Sequence, residues 1–456
     1  MSRFSYKDCG KIGRVQNITD AWTANGVSTD SRSLEPGNLF FALSGERFDG
    51  HGYVKDVVQK GAAACVVSEK WFLQNGINFS GEKFVVTDDP LLALQNLARL
   101  HRQRSDASVI AITGTNGKTT CKEMTHAVLS KNFRTIATQG NLNNEIGVPL
   151  TLLKIEQDTQ AAVIEMGADK KGDIAFLCDM ALPDSGVITN IGTAHIKSFG
   201  SLEAITETKC ELFDFLTADG VRFVNIDDER LRAHSKQTKG LVTFAINNEA
   251  DYRAEIISLN ELACAKIRIH APEGHSFDLQ LEISGRHHTH NALVAAAIGF
   301  SLGIDEADIV SALESYRPPS NRMGIRRHND VTILDDTYNA NPESMRAALD
   351  TLMTIKRKGR AVAALSDMLE LGSISTEEHA KIGDYILKKK PDALFTTGTA
   401  SKIMHERAET ISGNFYYEKK NDMAAELKKF IKPGDIVLVK GSRGMKMEEV
   451  VNELIS

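Results

Sequence analysis

The spacing of apolar and polar positions along this chain predicts short strands that alternate with helices. In residues 1–105, apolar runs of strand length and apolar positions at helical spacing predict a small α/β unit. The predicted strands span 38–43, 63–67 and 83–87, and the predicted helices span 53–61 and 90–104.

The alternation of strands and helices continues through residues 106–317, where it predicts a parallel sheet covered on both faces. The predicted strands span 109–112, 135–138, 161–166, 185–189, 221–225 and 241–245, and the predicted helices include 118–132, 171–180 and 202–216. Residues 252–284 depart from this alternation, because they contain consecutive strand-like runs joined by short turns. Such a pattern predicts an antiparallel excursion of the sheet. Two predicted helices, at 291–302 and 305–315, close this unit.

An Arg-Pro-Pro-Ser sequence at 317–320 fits neither a strand nor a helix, so we predict a linker and a domain boundary there. After it, the alternation predicts a Rossmann-like α/β domain over residues 318–456. Its predicted strands span 332–335, 361–365, 393–397 and 435–439, and its predicted helices span 342–356, 376–389, 400–411, 423–430 and 445–455. The expected architecture is therefore three α/β domains in a row.

Composition narrows the class of protein. A length of 456 residues suits about three domains, and 42% hydrophobic with 25% charged residues is ordinary for a soluble globular protein. The 54 basic and 60 acidic side chains give a net charge of −6. The chain therefore lacks the excess of positive charge that is typical of nucleic-acid-binding proteins, and this favours small-molecule chemistry. The six cysteines form no Cys-x-x-Cys pair, and the sequence has neither a signal-peptide pattern nor a membrane-spanning run. We therefore expect a cytoplasmic enzyme that binds neither nucleic acid nor membrane.

The stretch SVIAITGTNGKTTC at 108–121 is the candidate nucleotide site. Its apolar run predicts a buried strand, and the glycine-rich turn opens a helix whose N-terminus, with Lys118, would hold a phosphate while the Thr119 hydroxyl ligates Mg²⁺. The alternative is an ordinary glycine-rich turn, and the general pattern has a glycine where this chain has Ile112. We interpret the stretch as a nucleoside triphosphate site made of Gly114, Thr115, Asn116, Gly117, Lys118, Thr119 and Thr120.

Polar residues at the ends of other predicted strands extend this site, since ligands of open α/β sheets gather at the carboxyl ends of the strands. Glu165 closes one strand, and Asn190 and His195 follow another. With the threonine of the phosphate loop, the carboxylate and the imidazole suit a Mg²⁺ shell, although each residue alone is also typical of an ordinary loop. Lys209 lies in a predicted helix, where a solvated lysine is the common case.

Two polar loops of the first unit, 27–37 and 44–52, are either ordinary turns or substrate loops. In the third unit, the polar stretches at 334–342, 365–372 and 439–448 follow predicted strands. Asn341 has the position of a helix cap, whereas capping does not explain Asp336, Tyr338 and Asn339 together. The turn Lys440-Gly441-Ser442-Arg443 offers two cations and N–H groups that suit a carboxylate.

The run GRHHTHN at 285–291 concentrates His287, His288 and His290. A metal site is one interpretation, but no cysteine or carboxylate stands at ligand spacing, so we favour a loop at a helix start that touches a nucleotide base. Arg322 follows the linker and would reach a phosphate only if the domains close.

Together these motifs resemble the Mur ligase family along essentially the whole chain. The central motifs are GTNGKTT (114–120), NLNNEIGVPLTLL (141–153), EMG (165–167), TNIGTAH (189–195), the lysine of TETKCELF, and NALVAAA (291–297). The motifs TDSR (29–32), GERFDGH (45–51), DDTYNANP (335–342), DMLELG (367–372) and KGSR (440–443) resemble the branch that adds D-alanyl-D-alanine to UDP-N-acetylmuramoyl-tripeptide. The Asp-Asn-Pro-Arg motif of the branch that adds diaminopimelate or lysine is absent from the sequence.

The resemblance implies a ligase that uses ATP and Mg²⁺ to join these two small molecules through an acyl phosphate, and we expect a monomer. The implied catalytic residues are Lys118, His195 and Lys209, the last at a position that some members carry as a carbamate. The implied Mg²⁺ ligands are Thr119, Glu165 and His195, and the implied nucleotide contacts are the 114–120 loop, Asn291, Arg322 and Asp336. The implied UDP-sugar contacts are Ser31, Arg32, Arg47, Asp49, His51, Asn143, Asn144 and Glu145, and the implied dipeptide contacts are Tyr338, Asn339, Asn341, Lys440, Ser442 and Arg443.

The sequence departs from the family pattern at two positions. His288 stands where an asparagine is common, which bears on the adenine contacts, and Gly444 stands where a small polar residue is frequent, which bears on the dipeptide loop. A folylpolyglutamate-type ligase is one alternative, but its usual GTNGKGS differs from the Thr119-Thr120 pair of this chain. A nucleotide-binding regulatory module without turnover is the other, and the retained lysine, glutamate and histidine of the site argue against it.

Overall fold

The computed structural model describes residues 3–17, 21–46, 48–235 and 240–456, and it confirms the α/β class. Within these residues, three large sheets follow one another along the chain, between residues 14 and 87, 108 and 284, and 324 and 440. The predicted boundaries at 105/106 and 317/318 fall between the sheets, and the boundaries themselves stay a prediction.

The first unit is built on a small, mostly parallel sheet. It contains β1 (Phe4–Ser5), α1 (Tyr6–Cys9), β2 (Arg14–Gln16), β3 (Thr23–Ala24), β4 (Val27–Ser28), β5 (Leu39–Phe41), β6 (Ser44–Gly45), β7 (Phe48–Asp49), α2 (Val54–Gln59), β8 (Ala64–Ser68), α3 (Glu69–Asn75), β9 (Phe84–Thr87) and α4 (Pro90–Arg102). The strand order is β2-β9-β8-β5-β4, and β2 pairs antiparallel to its neighbour. The predicted strands are confirmed as β5, β8 and β9. The edge strands β2 and β4 escaped prediction because two or three residues are too few to show an alternating pattern.

The central unit is built on a long sheet whose last strands are antiparallel. It contains β10 (Ser108–Thr113), α5 (Lys118–Leu129), β11 (Thr135–Ala137), α6 (Gly147–Leu152), β12 (Ala161–Glu165), α7 (Asp173–Ala181), β13 (Ser185–Ile188), α8 (Ile196–Phe199), α9 (Leu202–Phe215), β14 (Val221–Asn225), α10 (Glu229–Ser235), β15 (Leu241–Ala245), β16 (Tyr252–Leu259), β17 (Cys264–His270), β18 (Ser276–Ser284), α11 (His288–Ser301) and α12 (Glu306–Ser315). The strand order is β11-β12-β10-β13-β14-β15-β16-β17-β18. The pairings from β11 to β16 are parallel and those of β16-β17-β18 are antiparallel, which confirms the predicted excursion.

This strand order places a ligand crevice beside β10. The chain runs from β10 to β11 and β12 on one side and then returns to β13 on the other, so the direction of the sheet reverses at β10. Ligands of open α/β sheets bind outside the carboxyl ends of strands at such a reversal. The phosphate loop follows β10 and therefore lies at the crevice.

The start of α11 corrects one prediction. The helix begins at His288, whereas the sequence pattern placed its start at residue 291. Gly285, with a φ of 114°, turns the chain directly from β18 into the helix, and the His288 N–H donates to the Gly285 carbonyl at 3.2 Å. The histidine run therefore forms the first helical turn and not a loop.

The third unit is built on a Rossmann-like sheet with one antiparallel edge. It contains β19 (Gly324–His328), β20 (Val331–Asp336), α13 (Pro342–Thr354), β21 (Ala361–Ser366), α14 (Ser375–Lys389), β22 (Ala393–Thr397), α15 (Ser401–Arg407), β23 (Asn414–Tyr417), α16 (Lys420–Phe430), β24 (Ile436–Lys440) and α17 (Glu448–Ile455). The strand order is β19-β20-β24-β21-β22-β23, and β19 is antiparallel to β20 while the other pairings are parallel. The edge strands β19 and β23 were not predicted, because Arg326, Arg327 and His328 interrupt the apolar pattern of β19 and because β23 has only four residues, too few to show an alternating pattern.

Two helices of the third unit are shorter than predicted. The helix predicted at 400–411 ends at Arg407, since the Asn414 side chain donates to the carbonyls of His405 and Ala408 and so caps it. The helix predicted at 445–455 begins at Glu448, because Lys446 adopts a left-handed φ of 51° that interrupts the helical path.

The central and third units share a buried core. Apolar residues of both, such as Ile283 of β18 and Leu349 of α13, belong to one cluster of buried side chains. At the far end of α13, the Lys356 N–H donates to the Glu261 carbonyl at 2.9 Å. In the described ranges, the six cysteines are unpaired and buried, and helices both long and apolar enough to span a membrane are absent.

Candidate active site

The phosphate loop connects β10 to α5 through two glycines with positive φ. Gly114 has a φ of 139°, and a Cβ there would lie 2.0 Å from the Thr189 hydroxyl oxygen. Gly117 has a φ of 81°, and a Cβ there would lie 2.7 Å from Asn291 Oδ1. Both positions therefore require glycine.

Hydrogen bonds fasten the phosphate loop to the segment that follows β13. The Thr115 N–H donates to the Asn190 carbonyl at 2.9 Å, and the Asn116 N–H donates to Asn190 Oδ1 at 3.0 Å. The Gly192 N–H donates to the Thr115 hydroxyl at 2.8 Å. Because these two loop amides are used within the protein, anion binding falls to the amides of the first turn of α5, which have no intrahelical acceptors.

Two lysines in the cleft have pKa values below their ordinary range. Lys118 Nζ donates to the carbonyls of Gly114 and Thr115 at 2.9 and 3.2 Å, and removal from solvent lowers the pKa of Lys118. Lys209, on α9, is 5% exposed. Burial, with a smaller contribution from the charge of Lys118, lowers the pKa of Lys209 to about 7. Lys209 is therefore not the solvated helix lysine that the sequence alone favoured.

A hard oxygen donor set stands beside the loop. The Thr119 hydroxyl donates to Glu165 Oε2 at 2.8 Å, and Asn143 Nδ2 donates to Glu165 Oε1 at 2.8 Å. Glu165 is 2% exposed, and its backbone N–H donates to the Thr138 hydroxyl at 2.9 Å, which fixes the end of β12. Carboxylate and hydroxyl oxygens in this arrangement fit a Mg²⁺ ion that takes its other ligands from phosphate and water.

His195 follows β13 and lies against two carboxylates. Its Nδ1 is 2.6 Å from Glu370 Oε2 of the third unit and 3.3 Å from Asp169 Oδ1 of the central unit. The imidazole lowers the pKa of Glu370 through their hydrogen bond. Within the described residues, groups of three or more His, Cys, Asp or Glu side chains that would hold a metal by themselves are absent.

The histidine run contributes to the cleft without forming a metal cluster. The rings of His287 and His288 lie 3.9 Å apart, and burial lowers the pKa of His287 to about 4 and that of His288 well below its ordinary value. His290 Nε2 lies 2.8 Å from Asp227 Oδ2, which ties α11 to the loop after β14. Asn291 is 5% exposed and lies against the phosphate loop at Gly117.

The polar cluster of the third unit is largely bonded to itself. Lys440 is 2% exposed and donates to Asp336 Oδ2 at 2.6 Å and to the Asn339 carbonyl at 2.8 Å. The Arg322 guanidinium lies 3.6 Å from the centre of the Tyr338 ring. Lys440 is therefore an internal cation, which differs from the free cation that the sequence suggested.

The remaining predicted dipeptide contacts lie around the same turn. Ser442 is 3% exposed, its hydroxyl accepts from the Leu369 N–H at 2.8 Å and donates to the Ala340 carbonyl at 3.1 Å, so it joins two loops. Arg443 is exposed and its Nη1 lies 3.1 Å from Glu448 Oε1.

The predicted substrate loops of the first unit have ordered side chains. Arg32 and Asp30 form an exposed ion pair at 2.6 Å, and the carbonyl of Ser31 accepts from Lys60 Nζ at 2.6 Å. His51 is buried, with Nδ1 2.6 Å from Asp49 Oδ1 and Nε2 accepting from the Ser68 N–H at 3.0 Å. Arg47, the other predicted contact, lies outside the described residues.

One cleft of about 700 Å³ brings most of these groups together. From the predicted set it is lined by the 114–120 loop, Asn143, Asn144, Glu145, Glu165, His195, Lys209, Asn291, Arg322, Asp336, Tyr338, Asn339, Asn341 and Lys440. Among the described residues, the lining omits Ser31, Arg32, Asp49, His51, Ser442 and Arg443.

The structure adds residues that sequence reasoning missed. Asp169, Asp227 and Glu343 also line the cleft, and Glu343 accepts from the Thr193 N–H and hydroxyl at 3.2 and 3.1 Å. Asp169 could have been predicted from the sequence, because it lies just after the EMG motif. Glu343 could not, because it lies in the first turn of α13, where an acidic residue is typical of any helix.

Comparison with known proteins identifies the family. The family model described as the Mur ligase middle domain matches residues 112–299, the glutamate ligase domain matches 321–443, and the catalytic domain matches 23–102. The UDP-N-acetylmuramoyl-tripeptide–D-alanyl-D-alanine ligase of Bacillus subtilis is 38% identical, covering 94% of this chain and 93% of its own. The chain belongs to the Mur ligase family.

Other relatives extend the likeness of this Mur ligase. The ligase of the same name from Escherichia coli is 35% identical and covers 95% of this chain and 94% of its own. A crystal structure of MurF from Acinetobacter baumannii has a TM-score of 0.89 at 31% identity, with 99% of each chain covered. MurF from Thermotoga maritima in complex with ADP has a TM-score of 0.82 at 27% identity, covering 94% of this chain and 96% of its own. This Mur ligase is therefore an ATP-using ligase that acts on small molecules.

Proposed function

We propose that this Mur ligase uses ATP to join the terminal carboxylate of UDP-N-acetylmuramoyl-tripeptide to the amine of D-alanyl-D-alanine, in peptidoglycan precursor synthesis. One observation carries the proposal: the phosphate loop, Glu165 and the third-unit residues around Asp336 line the same cleft, where a nucleotide and an acceptor can meet. The relatives from Bacillus subtilis and Escherichia coli, which are named for this reaction, support the choice of substrates.

The reaction needs activation because a free carboxylate is a poor acyl donor. A carboxylate oxygen of the tripeptide attacks the γ-phosphorus, and ADP leaves. The dipeptide amine then attacks the acyl carbon, gives up a proton, and inorganic phosphate leaves. In this scheme the first amides of α5 and Lys118 bind the phosphates and hold the γ-phosphoryl group toward the incoming carboxylate.

Thr119 and Glu165 would hold Mg²⁺ beside the phosphates, as their hard oxygen donors fit that ion. Held by these two residues, Mg²⁺ would supply positive charge that offsets the negative charge of the phosphoryl oxygens. We assign His195 and Lys209 to a second cation position in the same cleft. With a pKa of about 7, much of the Lys209 amine is unprotonated near neutrality, which is the form that adds CO2 to become a carbamate.

The third unit would exclude water from the reactive intermediate. Asn341 Nδ2 donates to Asn116 Oδ1 of the phosphate loop at 2.7 Å, and Glu343 accepts from Thr193, so the start of α13 covers the loop. Exclusion of water matters because an acyl phosphate hydrolyses in open solvent. Arg322 and Tyr338 stack at the edge of this cover, where they can close over the nucleotide.

The substrate contacts follow from the same assignment and stay proposals. We assign the nucleotide to the 114–120 loop with Asn291, Arg322 and Asp336, and the dipeptide to Tyr338, Asn339, Asn341, Lys440, Ser442 and Arg443. We assign the UDP-sugar to Ser31, Arg32, Arg47, Asp49 and His51, with Asn143, Asn144 and Glu145 at the cleft. Since one chain lines the whole cleft, a monomer suffices for this chemistry, and light scattering on the purified protein measures its mass.

A reconstituted reaction tests the proposal. The protein is incubated with ATP, Mg²⁺, UDP-N-acetylmuramoyl-tripeptide and either D-alanyl-D-alanine or single amino acids, and the products are identified by mass spectrometry. We expect a pentapeptide product and phosphate release that depends on both substrates. Phosphate release without amide product, or addition of a single amino acid only, would contradict it.

A further inference from the structure

Glu370 of the third unit meets His195 of the central unit across the domain boundary. His195 Nδ1 lies 2.6 Å from Glu370 Oε2, and the Lys197 N–H donates to the Glu370 carbonyl at 3.1 Å. One residue of the third unit thus contacts both a cleft side chain and the backbone two residues further on. This double contact fixes the Glu370 carboxylate on the imidazole.

The backbone on both sides of this contact is strained. His195 has a φ of 60° and Glu370 a φ of 66°, in the left-handed region that residues with a side chain rarely adopt. Such conformations persist where the surrounding structure holds them, and they concentrate at functional sites. Gly372 also has a positive φ of 54°, and a Cβ there would lie 3.2 Å from Lys197 Cα, so the two segments approach closely.

The hydrogen bonds also decide which ring nitrogen of His195 is free. Two carboxylates face Nδ1, because Asp169 Oδ1 lies 3.3 Å from it in addition to Glu370. A nitrogen that faces carboxylate oxygens carries the proton, which leaves the lone pair on Nε2. A histidine that ligates a metal usually donates its other ring N–H to a carboxylate in this way.

We propose that Glu370 is a positioning residue that holds His195 in the orientation and tautomer required for a divalent cation in the cleft. This inference rests on the proposed function, in which His195 serves the second cation. Asp169 supplies a longer contact from within the central unit, and Glu370 supplies the shorter one when the third unit is docked. The cation site is therefore complete only in the docked arrangement, so docking and cation binding strengthen each other by the same factor.

Mn²⁺ binding, followed by electron paramagnetic resonance, tests this positioning role. The protein is titrated with Mn²⁺ in the presence of a non-hydrolysable ATP analogue, and the variants are His195→Ala, Glu370→Ala and Glu370→Gln. Glu409→Ala, at an exposed glutamate of the same unit, is the matched control. We expect two Mn²⁺ ions on the wild type and the Glu409→Ala variant, and loss of the weaker one in His195→Ala.

For Glu370→Ala we expect the weaker Mn²⁺ affinity to fall by about 10- to 100-fold, the usual effect of removing such a hydrogen-bond partner. Glu370→Gln, whose amide oxygen can still accept from Nδ1, should recover most of it. Wild-type affinity in Glu370→Ala, with a loss in His195→Ala, would overturn the positioning role alone. Wild-type affinity in His195→Ala would instead overturn the cation role of His195 in the proposed function.

Hydrogen exchange at the Lys197 amide gives a readout that is independent of turnover. This amide donates to the Glu370 carbonyl, so its exchange reports docking of the third unit at this point. We expect Mn²⁺ with the ATP analogue to slow its exchange in the wild type and in Glu370→Gln, and to do so far less in Glu370→Ala. Equal slowing in all three proteins would contradict the coupling between docking and the cation.

Discussion

At the residue scale, the cleft depends on lysines whose charge is costly to keep. Lys118 and Lys209 both have lowered pKa values because they lie away from solvent, and a neighbouring positive charge lowers each pKa further, that of Arg322 for Lys118 and that of Lys118 for Lys209. An anionic nucleotide would offset that repulsion, so the cleft is electrostatically prepared for phosphate.

Replacing Lys118 with alanine removes the point charge that meets the phosphates. We expect Lys118→Ala to lower the rate of ligation by about 100-fold or more, in line with the loss of one preorganised charge-stabilising donor. Phosphate release and amide product are measured together. The matched control is Lys131→Ala, at a lysine beyond the other end of α5, which should ligate at the wild-type rate. Substantial ligation by Lys118→Ala would contradict the assignment of this loop to phosphate binding.

Lys209 should make stability depend on pH in a defined window. Its pKa is about 7 in the folded protein and 10.5 in its ordinary state, so between these values the unfolded chain binds more protons. The free energy of unfolding therefore gains from this group as pH rises from 7 toward 10.5. We expect a steeper rise with pH in the wild type than in Lys209→Met, measured by urea unfolding at pH 7 to 9 in CO2-free buffer. Parallel curves for the two proteins would contradict the lowered pKa.

At the scale of elements, α13 couples the third unit to the phosphate loop. Its N-cap Asn341 accepts from the Ser344 N–H at 2.9 Å through Oδ1, while its Nδ2 donates to Asn116. One side chain thus starts the helix and touches the nucleotide loop. Sequence reasoning explained Asn341 as a cap, and the tertiary contact adds the second task.

Comparing two helix caps separates these tasks. Asn341→Ala and Asp305→Ala each remove an N-cap, from α13 and α12 respectively, and each should lower the free energy of unfolding by about 1 kcal/mol. We expect the KM for ATP to rise several-fold in Asn341→Ala and to stay unchanged in Asp305→Ala. Steady-state kinetics and urea unfolding provide both measurements. An unchanged KM in both variants would show that the Asn116 contact does not support nucleotide binding.

At the scale of the whole molecule, the central and third units meet along the length of α13. The helix approaches β18 at Gly285, where a Cβ would lie 2.9 Å from the Thr351 hydroxyl oxygen and 2.6 Å from His287 Cε1. With Asn341 at one end and the Lys356 contact at the other, the helix is held at three points. The relative position of the two units therefore depends on this glycine.

Two glycine variants test that dependence. Gly285→Ala adds a methyl group that meets α13, whereas Gly274→Ala adds one at a position with a similar positive φ and open space around it. Both should lose about 1 kcal/mol or somewhat more from backbone strain. We expect only Gly285→Ala to loosen the docking, seen as a larger radius of gyration by small-angle X-ray scattering. Identical scattering from both variants would contradict the role of this contact.

Local features of this protein can be inferred directly from the amino-acid sequence. The apolar runs of β10, β12 and β13, the glycines of the phosphate loop and the antiparallel run from β16 to β18 are each encoded within a few neighbouring residues. Period and turn chemistry act over that short range, so sequence reasoning recovered the α/β class and most elements of the sheets. Short edge strands were not predicted from the sequence, because pairing with a neighbouring strand stabilises them and their own residues show no clear pattern.

Packing between distant parts of the chain determines which polar residues are free and which are partnered. Lys440, which the sequence offered as a cation for a substrate carboxylate, pairs with Asp336 and is internal. His195 meets Glu370 of the third unit, which was not among the predicted site residues. Burial lowers the pKa of Lys209, a helix position with no local signal. These properties depend on side chains from distant parts of the chain, whose contacts are set by the packing of whole units and not by spacing along the sequence.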